Sequence, residues 1–470
     1  MLFPTLQFAL FFGLTLLLHR TLPLKARSGM LLGASLLFYG LWIPHYLILL
    51  LADIAVNYVL LRGIQRGHRP KLWLTGSVVF TLGLLASFKY AMPILEGLVA
   101  WMGVQSGTAP VWPELILPLG ISFYSFQIIG FAIDAYRGDT GAEPPTAARY
   151  ALFIAFFPQL VAGPIMRGRE MLPQLERGSI TNRSRDRRGI RLVAWGLVKK
   201  VVLSDFLLAP YADLIFSSPG IAGIESHWVA VYAFAFQIYF DFSGYTDMAR
   251  GLALMLGYEL PENFREPYLS RGPAEFWRRW HMTLSRWLRD YLYIPLGGNR
   301  SGPSRTYVNL ALTMLLGGLW HGAGWTFVAW GAMHGAMLAI ERALGRRSGL
   351  VAEDAIRMVE WPRILIFFHL TGLSWVLFRA EDLEGAFLFF GGLFGASGST
   401  GWPVVPTLSV LLCALLHPVE RWLRTRRTTR ETETRNLGLS DLLEAGAVGL
   451  ALAAVVAASG TGAEFIYFQF

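Results

Sequence analysis

"TYVNLALTMLLGGLWHGAGWTFVAWGAMHGAMLAI", residues 306–340, contains no formal charge and is bounded by Arg305 and Glu341. A helix crosses the hydrocarbon core of a bilayer in ~20 residues, so this run is too long for one upright crossing. Gly317, Gly318, Gly322 and Gly324 gather around His321. They predict an interrupted helix at that point. Broken backbone at membrane depth is tolerated where it faces protein or a water-filled cavity. The stretch therefore reads as membrane helix on both sides of a break that carries an imidazole.

The rest of the chain has the same character. Of its 470 residues 54% are hydrophobic and 16% charged, where soluble domains carry about 25% charged residues. Apolar runs recur from about 2–18, read as a retained first membrane helix because it lacks a basic leader, to about 440–459. They predict an all-α polytopic integral membrane protein with about eleven or twelve transmembrane helices plus re-entrant and interfacial helices. One membrane-embedded domain over residues 1–470 is expected. The net charge of +9 is read as topology and contact with membrane lipids, since no nucleic-acid module is present. The lone Cys413 excludes an internal disulfide and a cysteine-rich metal site. The basic stretch "RWLRTRRTTRETETR", residues 421–435, reads as a loop, which the positive-inside rule puts in the cytoplasm. The helix near 440–459 then delivers the tail "AEFIYFQF" to the outer face.

Residues 275–291, "EFWRRWHMTLSRWLRDY", have helical periodicity. Trp277, Trp280, Leu284, Trp287, Leu288 and Tyr291 share one arc, and Arg278, Arg279, Arg286 and Arg289 lie opposite. That pattern predicts one helix in the headgroup plane, indoles down and guanidiniums up. His281 falls at the edge of the aromatic arc. The arginines suit a phosphorylated donor, which guanidinium binds bidentately, and equally an anionic lipid.

Three roles compete for His321. It could be hydrogen-bonded to a neighbouring helix as a structural group. It could ligate a metal, but the sequence around it has no His-x-x-x-His and no cysteine pair, so no metal site is expected. It could be a general base, because a neutral imidazole accepts a hydroxyl proton at pH 7. The pattern leaves the first and third open. His334, thirteen residues on, is read as structural. Gln127, Asp134, Gln237, Asp241 and Asp247 are polar groups in apolar frames, where carboxylates serve more often as paired struts than as catalysts.

Several longer stretches together carry a resemblance. "LPLGISFYSFQ", "FFPQLVAGPIMR", "FQIYFDFSGYTDMA", "RRWHMTLSRWLRDYLYIPLGGNR", "LWHGAGWTFVAWGAMHG" and "WVLFRAED" resemble the membrane-bound O-acyltransferase family. The likeness is to its bacterial branch, which holds the alginate and peptidoglycan O-acetyltransferases and the teichoic-acid D-alanyl transfer proteins. It covers about residues 115–382 and resumes in the C-terminal helix and aromatic tail, 440–470. The resemblance implies that His321 is the catalytic residue and His281 its partner. Trp320, Asp241 and Gln127 are expected to line or support a central tunnel, and Arg278 and Arg279 to meet the donor. It further implies acetyl-CoA as donor substrate, with no bound cofactor, and a hydroxyl acceptor reached from outside. Tyr467, the one hydroxyl in the terminal tail, is a candidate acyl carrier.

The expected function is transfer of an acetyl group across the bacterial inner membrane for O-acetylation of an exported polysaccharide, alginate first, with peptidoglycan or cellulose as alternatives. The expected partners are a periplasmic SGNH-hydrolase-like acetyltransferase and a polysaccharide export complex. A transporter of lipid-linked intermediates and a non-catalytic scaffold are the readings from other classes. The lack of two matching halves speaks against the transporter.

Overall fold

The structure is a computed structural model. It describes residues 3–101, 116–140, 144–345, 356–395, 398–399 and 401–430, with isolated positions at 449, 453 and 455–456. The aromatic tail with Tyr467, and nearly all of the helix expected near 440–459, lie outside the described residues. Those described are helical, with no strand among them. They gather into two compact units, Met1–Gly189 with Ala249–Pro261, and Ile190–Met248 with Glu262–Phe470.

In the first unit, prolines open helices Pro44–Gln65 and Pro70–Lys89, where the missing N–H has no partner to lose. Both are long and apolar enough to cross a membrane. Between them Asn57 Nδ2 donates to Asp53 Oδ1 at 2.7 Å and to Thr81 Oγ1 at 3.1 Å, and Ser77 Oγ donates to Asn57 Oδ1 at 2.6 Å. Buried polar atoms paired this way avoid the desolvation penalty of lone ones. Gln127 and Asp134 are buried in helix Ile121–Arg137.

The second unit contains two further helices of spanning length and composition, Met358–Arg379 and Val404–Arg421. The polytopic helical class agrees with the sequence. Four helices meet both criteria among the described residues, fewer than the eleven or twelve apolar runs suggest. The other runs are divided: Leu6–Thr21 and Leu383–Leu393 fall short of a full span, and helix Leu24–Gly40 opens on Lys25 and Arg27. The basic stretch expected as a loop after Arg421 continues as helix to Arg430.

The charge-free run forms a helical hairpin, Pro303–His321 and Trp325–Ala343. The break falls beside His321, as expected, and the downstream glycines make it. Gly317 and Gly318 stay helical, and the chain leaves the helix only at Gly322, whose φ of −167° and ψ of 164° are extended. The upstream glycines serve close packing instead. A Cβ at Gly331 would stand 3.1 Å from the Met314 carbonyl carbon, and one at Gly318 would stand 3.3 Å from Gly331 Cα. The two helices touch backbone to backbone, which fixes where the hairpin's tip, and His321, can lie.

Candidate active site

His321 ends its helix and is buried. Trp320, Phe378 and Trp330 surround it edge-on, with ring centroids 4.8, 5.1 and 5.2 Å away. Edge-to-face packing is a favoured arrangement of neighbouring rings and holds the imidazole in place. Trp330 also contacts His334, at 4.8 Å. The His334 role follows from its bonds: Ser374 Oγ donates to the Thr371 carbonyl at 2.7 Å, so it accepts from His334 Nε2 at 3.1 Å. That fixes the His334 tautomer and gives it the structural part expected of it.

His281 also neighbours Trp320, with centroids 6.3 Å apart, and packs in a T-shaped arrangement with Phe242 at 4.7 Å. The structure therefore brings His281, Trp320 and His321 into one cluster. The single helix expected over 275–291 is not present. Helix Pro273–Trp277 stops, His281 takes a left-handed conformation with φ 40° and ψ 54°, and helix Met282–Leu288 begins anew. The cause is tertiary. The Arg265 N–H donates to the Arg279 carbonyl, the Met282 N–H donates to the Asn263 carbonyl, each at 2.9 Å, and Thr283 donates twice to Asn263 Oδ1. These bonds hold the segment against 263–265 and turn His281 inward. The expected aromatic face, Trp277 to Tyr291, is buried in protein, not laid on lipid. Burial pushes the His281 imidazole down to about 3, an effect its backbone hydrogen bond only partly opposes. It is neutral at pH 7.

The two arginines expected at the donor mouth part company. Arg279 is buried and donates to Glu275 Oε1 from Nη2 at 2.8 Å and Nε at 3.0 Å, and to the Arg265 carbonyl at 3.3 Å. Glu275 also takes Arg271 Nε at 2.9 Å. Its own burial favours the neutral acid, but Arg271 and Arg279 outweigh that and hold it at about 2. Arg279 is committed to this network. Arg278 is exposed and lines an open cavity of about 710 Å³.

Asp241 is a strut. Lys200 Nζ lies 2.8 Å from Asp241 Oδ1 and 3.0 Å from Asp205 Oδ1. Beside it Lys199 Nζ lies 2.7 Å from Glu420 Oε1 and 3.0 Å from Asp247 Oδ2, while Tyr239 and Trp195 also donate to Glu420. Both lysines sit on the π-helical stretch Val198–Leu208. Sequence reading passed over them. The signal was available, because two adjacent lysines in "LVKKVVLSDFLL" need partners if that run is buried. Gln127 belongs to the other compact unit. Among the described residues no group of His, Cys, Asp and Glu could hold a metal ion.

The model of a single family, the membrane-bound O-acyltransferases, matches residues 116–375, a span that contains both histidines and the two lysines. The chain belongs to the membrane-bound O-acyltransferase family. It is thus an acyltransferase of a membrane-protein family. Its relatives within and around that family include a protein of Azotobacter vinelandii described as a probable alginate O-acetylase, AlgI. That protein is 44% identical over 394 residues, 82% of this chain and 76% of the relative. A peptidoglycan O-acetyltransferase of Helicobacter pylori is 38% identical over 393 residues, 78% of this chain and 73% of the relative. A teichoic acid D-alanyltransferase of Streptococcus thermophilus is 30% identical over 319 residues, 63% of this chain and 74% of the relative.

Proposed function

We propose that this acyltransferase takes an acetyl group from cytoplasmic acetyl-CoA and moves it across the inner membrane for O-acetylation of an exported polysaccharide, with alginate as first choice. The observation that carries the reading is the His281–Trp320–His321 cluster at the tip of a glycine-packed hairpin. It supplies an imidazole shielded from bulk water, as transfer from a thioester needs if hydrolysis is to be limited. In the proposed step the acceptor hydroxyl oxygen attacks the thioester carbonyl carbon and its proton passes to a His321 nitrogen. The C–S bond breaks, and that proton leaves with the CoA thiolate. His281, neutral, positions Trp320 and the facing wall. Lys200 and Asp241 support the helix that carries Phe242. Trp320 borders the path, Gln127 is a tunnel or support residue, and Tyr467 is an acyl carrier on the outer face. A periplasmic SGNH-hydrolase-like enzyme would complete esterification beside the export complex.

Peptidoglycan is the second reading for the acceptor, favoured by the extent of the match to the Helicobacter relative. The test is release of CoA from labelled acetyl-CoA by purified protein. Wild type should turn over and His321→Ala should lose at least about a hundredfold, the scale of general-base catalysis. Equal turnover by the two would refute the assignment of the base.

A further inference from the structure

The polar network between helices Pro44–Gln65 and Pro70–Lys89 leaves one oxygen out. Asn57 Nδ2 donates to both Asp53 Oδ1 and Thr81 Oγ1, and Ser77 Oγ donates to Asn57 Oδ1. Asp53 Oδ2 is buried with no hydrogen-bond partner among the described residues. Asp53, Asn57, Ser77 and Thr81 are each no more than 1% exposed. No cationic side chain lies close enough to act on the Asp53 charge. Arg62 is nine residues further along the same helix, roughly 14 Å at helical rise, and Lys71 and Lys89 stand at the ends of the second helix. Asp53 sits near the middle of a 22-residue helix of spanning length and composition. A carboxylate at that depth without a counter-charge is costly, and such residues mark functional sites.

The neighbouring groups converge on this carboxylate. Asp53 and Asn57 are four residues apart and share a helix face, as do Ser77 and Thr81 on the second helix. Ser77 Oγ donates once and Thr81 Oγ1 accepts once from Asn57, so each hydroxyl oxygen keeps a lone pair. The phenols of Tyr39 and Tyr124, both fully buried, lie near the same carboxylate. The free lone pairs are all on oxygen, the donor type that hard cations take. One carboxylate balances one positive charge. A divalent ion would leave a net charge in the low-dielectric interior, which is penalised heavily.

We infer that Asp53, Ser77 and Thr81, held in place by Asn57, form a binding site for a small monovalent metal cation, sodium by abundance, which ties the two helices together at mid-membrane. All four residues belong to the first compact unit, and His321 belongs to the second.

The experiment uses the full chain in phosphatidylcholine nanodiscs at fixed pH and ionic strength, with sodium chloride exchanged for choline chloride. Thermal unfolding is followed by tryptophan fluorescence, and radiolabelled sodium binding is measured on the same samples. Wild type should unfold several degrees higher in sodium, and the rise should saturate, because a ligand held only by the folded state stabilises it by mass action. It should bind one sodium ion per chain. Ser77→Ala and Thr81→Ala should each need several-fold more sodium for half the effect. Asp53→Asn keeps the shape and removes the charge, so it should fold, unfold at the same temperature in both salts and bind no sodium. Ser87→Ala, at an exposed position on the same helix, should respond as the wild type does. Sodium binding retained by Asp53→Asn would overturn the site. So would a wild type that is indifferent to sodium and less stable than Asp53→Asn, the result expected if the carboxyl carries a proton instead.

Discussion

Lys200 and Asp241 meet at 2.8 Å with both side chains less than 5% exposed. A buried pair of this kind gains little over a well-packed apolar one, but breaking it strands a charge. Lys200→Met, which also strands Asp205, should cost about 3–5 kcal/mol and lower the unfolding temperature in detergent. Lys200→Met combined with Asp241→Leu should cost less than the single change, because one of the stranded carboxylates is gone. A thermal-unfolding double-mutant cycle checks this. Additive costs would mean that the two groups do not interact.

The glycines of the hairpin predict a contrast. Gly331→Ala pushes a methyl against the Met314 carbonyl and Leu315 Cα and should destabilise by about 1–3 kcal/mol, as overpacking does. It should also reduce transfer, since the same hairpin ends at His321. Gly13 lies in helix Leu6–Thr21 with nothing within 4 Å of an added Cβ. Gly13→Ala should therefore be neutral or stabilise by up to about 1 kcal/mol. Unfolding of the two variants side by side separates close packing from helix propensity.

These positions show what the sequence makes legible. Charge-free length is a property of composition, so the membrane class and the hairpin over 306–340 can be read directly. His321 can be read because an imidazole stands out in such a run. His281 was found by its place in a recognisable stretch, but its conformation was not: helical periodicity runs unbroken through 275–291, and a left-handed non-glycine residue leaves no mark. Only the bonds to Asn263 and Arg265, made across an intervening loop, reveal the turn. The same holds for Arg279, whose partner Glu275 is visible at i−4 but whose burial is not. The lysine pairs depend on carboxylates far along the chain, Asp241, Asp247 and Glu420, and on a π-helical turn that local sequence does not announce.

His281 gives a prediction in pH. Its folded value, about 3, lies below its ordinary 6.5, so the unfolded chain binds the extra proton first as pH falls. The stabilisation from the neutral ring is fully present above about 6.5 and is lost as pH drops from there through about 3. Asn tolerates the left-handed region better than most residues and does not titrate. His281→Asn should fold, and its stability should fall less between pH 7 and pH 5 than that of the wild type. The acid limb of transfer over the same interval should be unchanged in the variant, because His281 is neutral throughout it. Disappearance of that limb in His281→Asn would assign the titration to this ring.

Tyr467 offers the last prediction. A phenol oxygen that attacks an acetyl thioester forms an aryl ester and releases CoA, with the phenol proton leaving on the thiol. An aryl ester is more reactive than an alkyl ester and could pass its acetyl group on to a sugar hydroxyl. Wild-type protein given labelled acetyl-CoA should carry hydroxylamine-labile label in its C-terminal peptide. His321→Ala should carry none, because the proposed base is absent. Tyr467→Phe should also carry none, yet should still release CoA slowly to water or to a small added alcohol, because the proposed base is intact. Peptide mapping by mass spectrometry reads the label, and acetyl content of the secreted polymer reads the consequence. Polymer acetylation by Tyr467→Phe at the wild-type level would leave the tail as a docking or packing element, and the acceptor would then have to reach His321 itself.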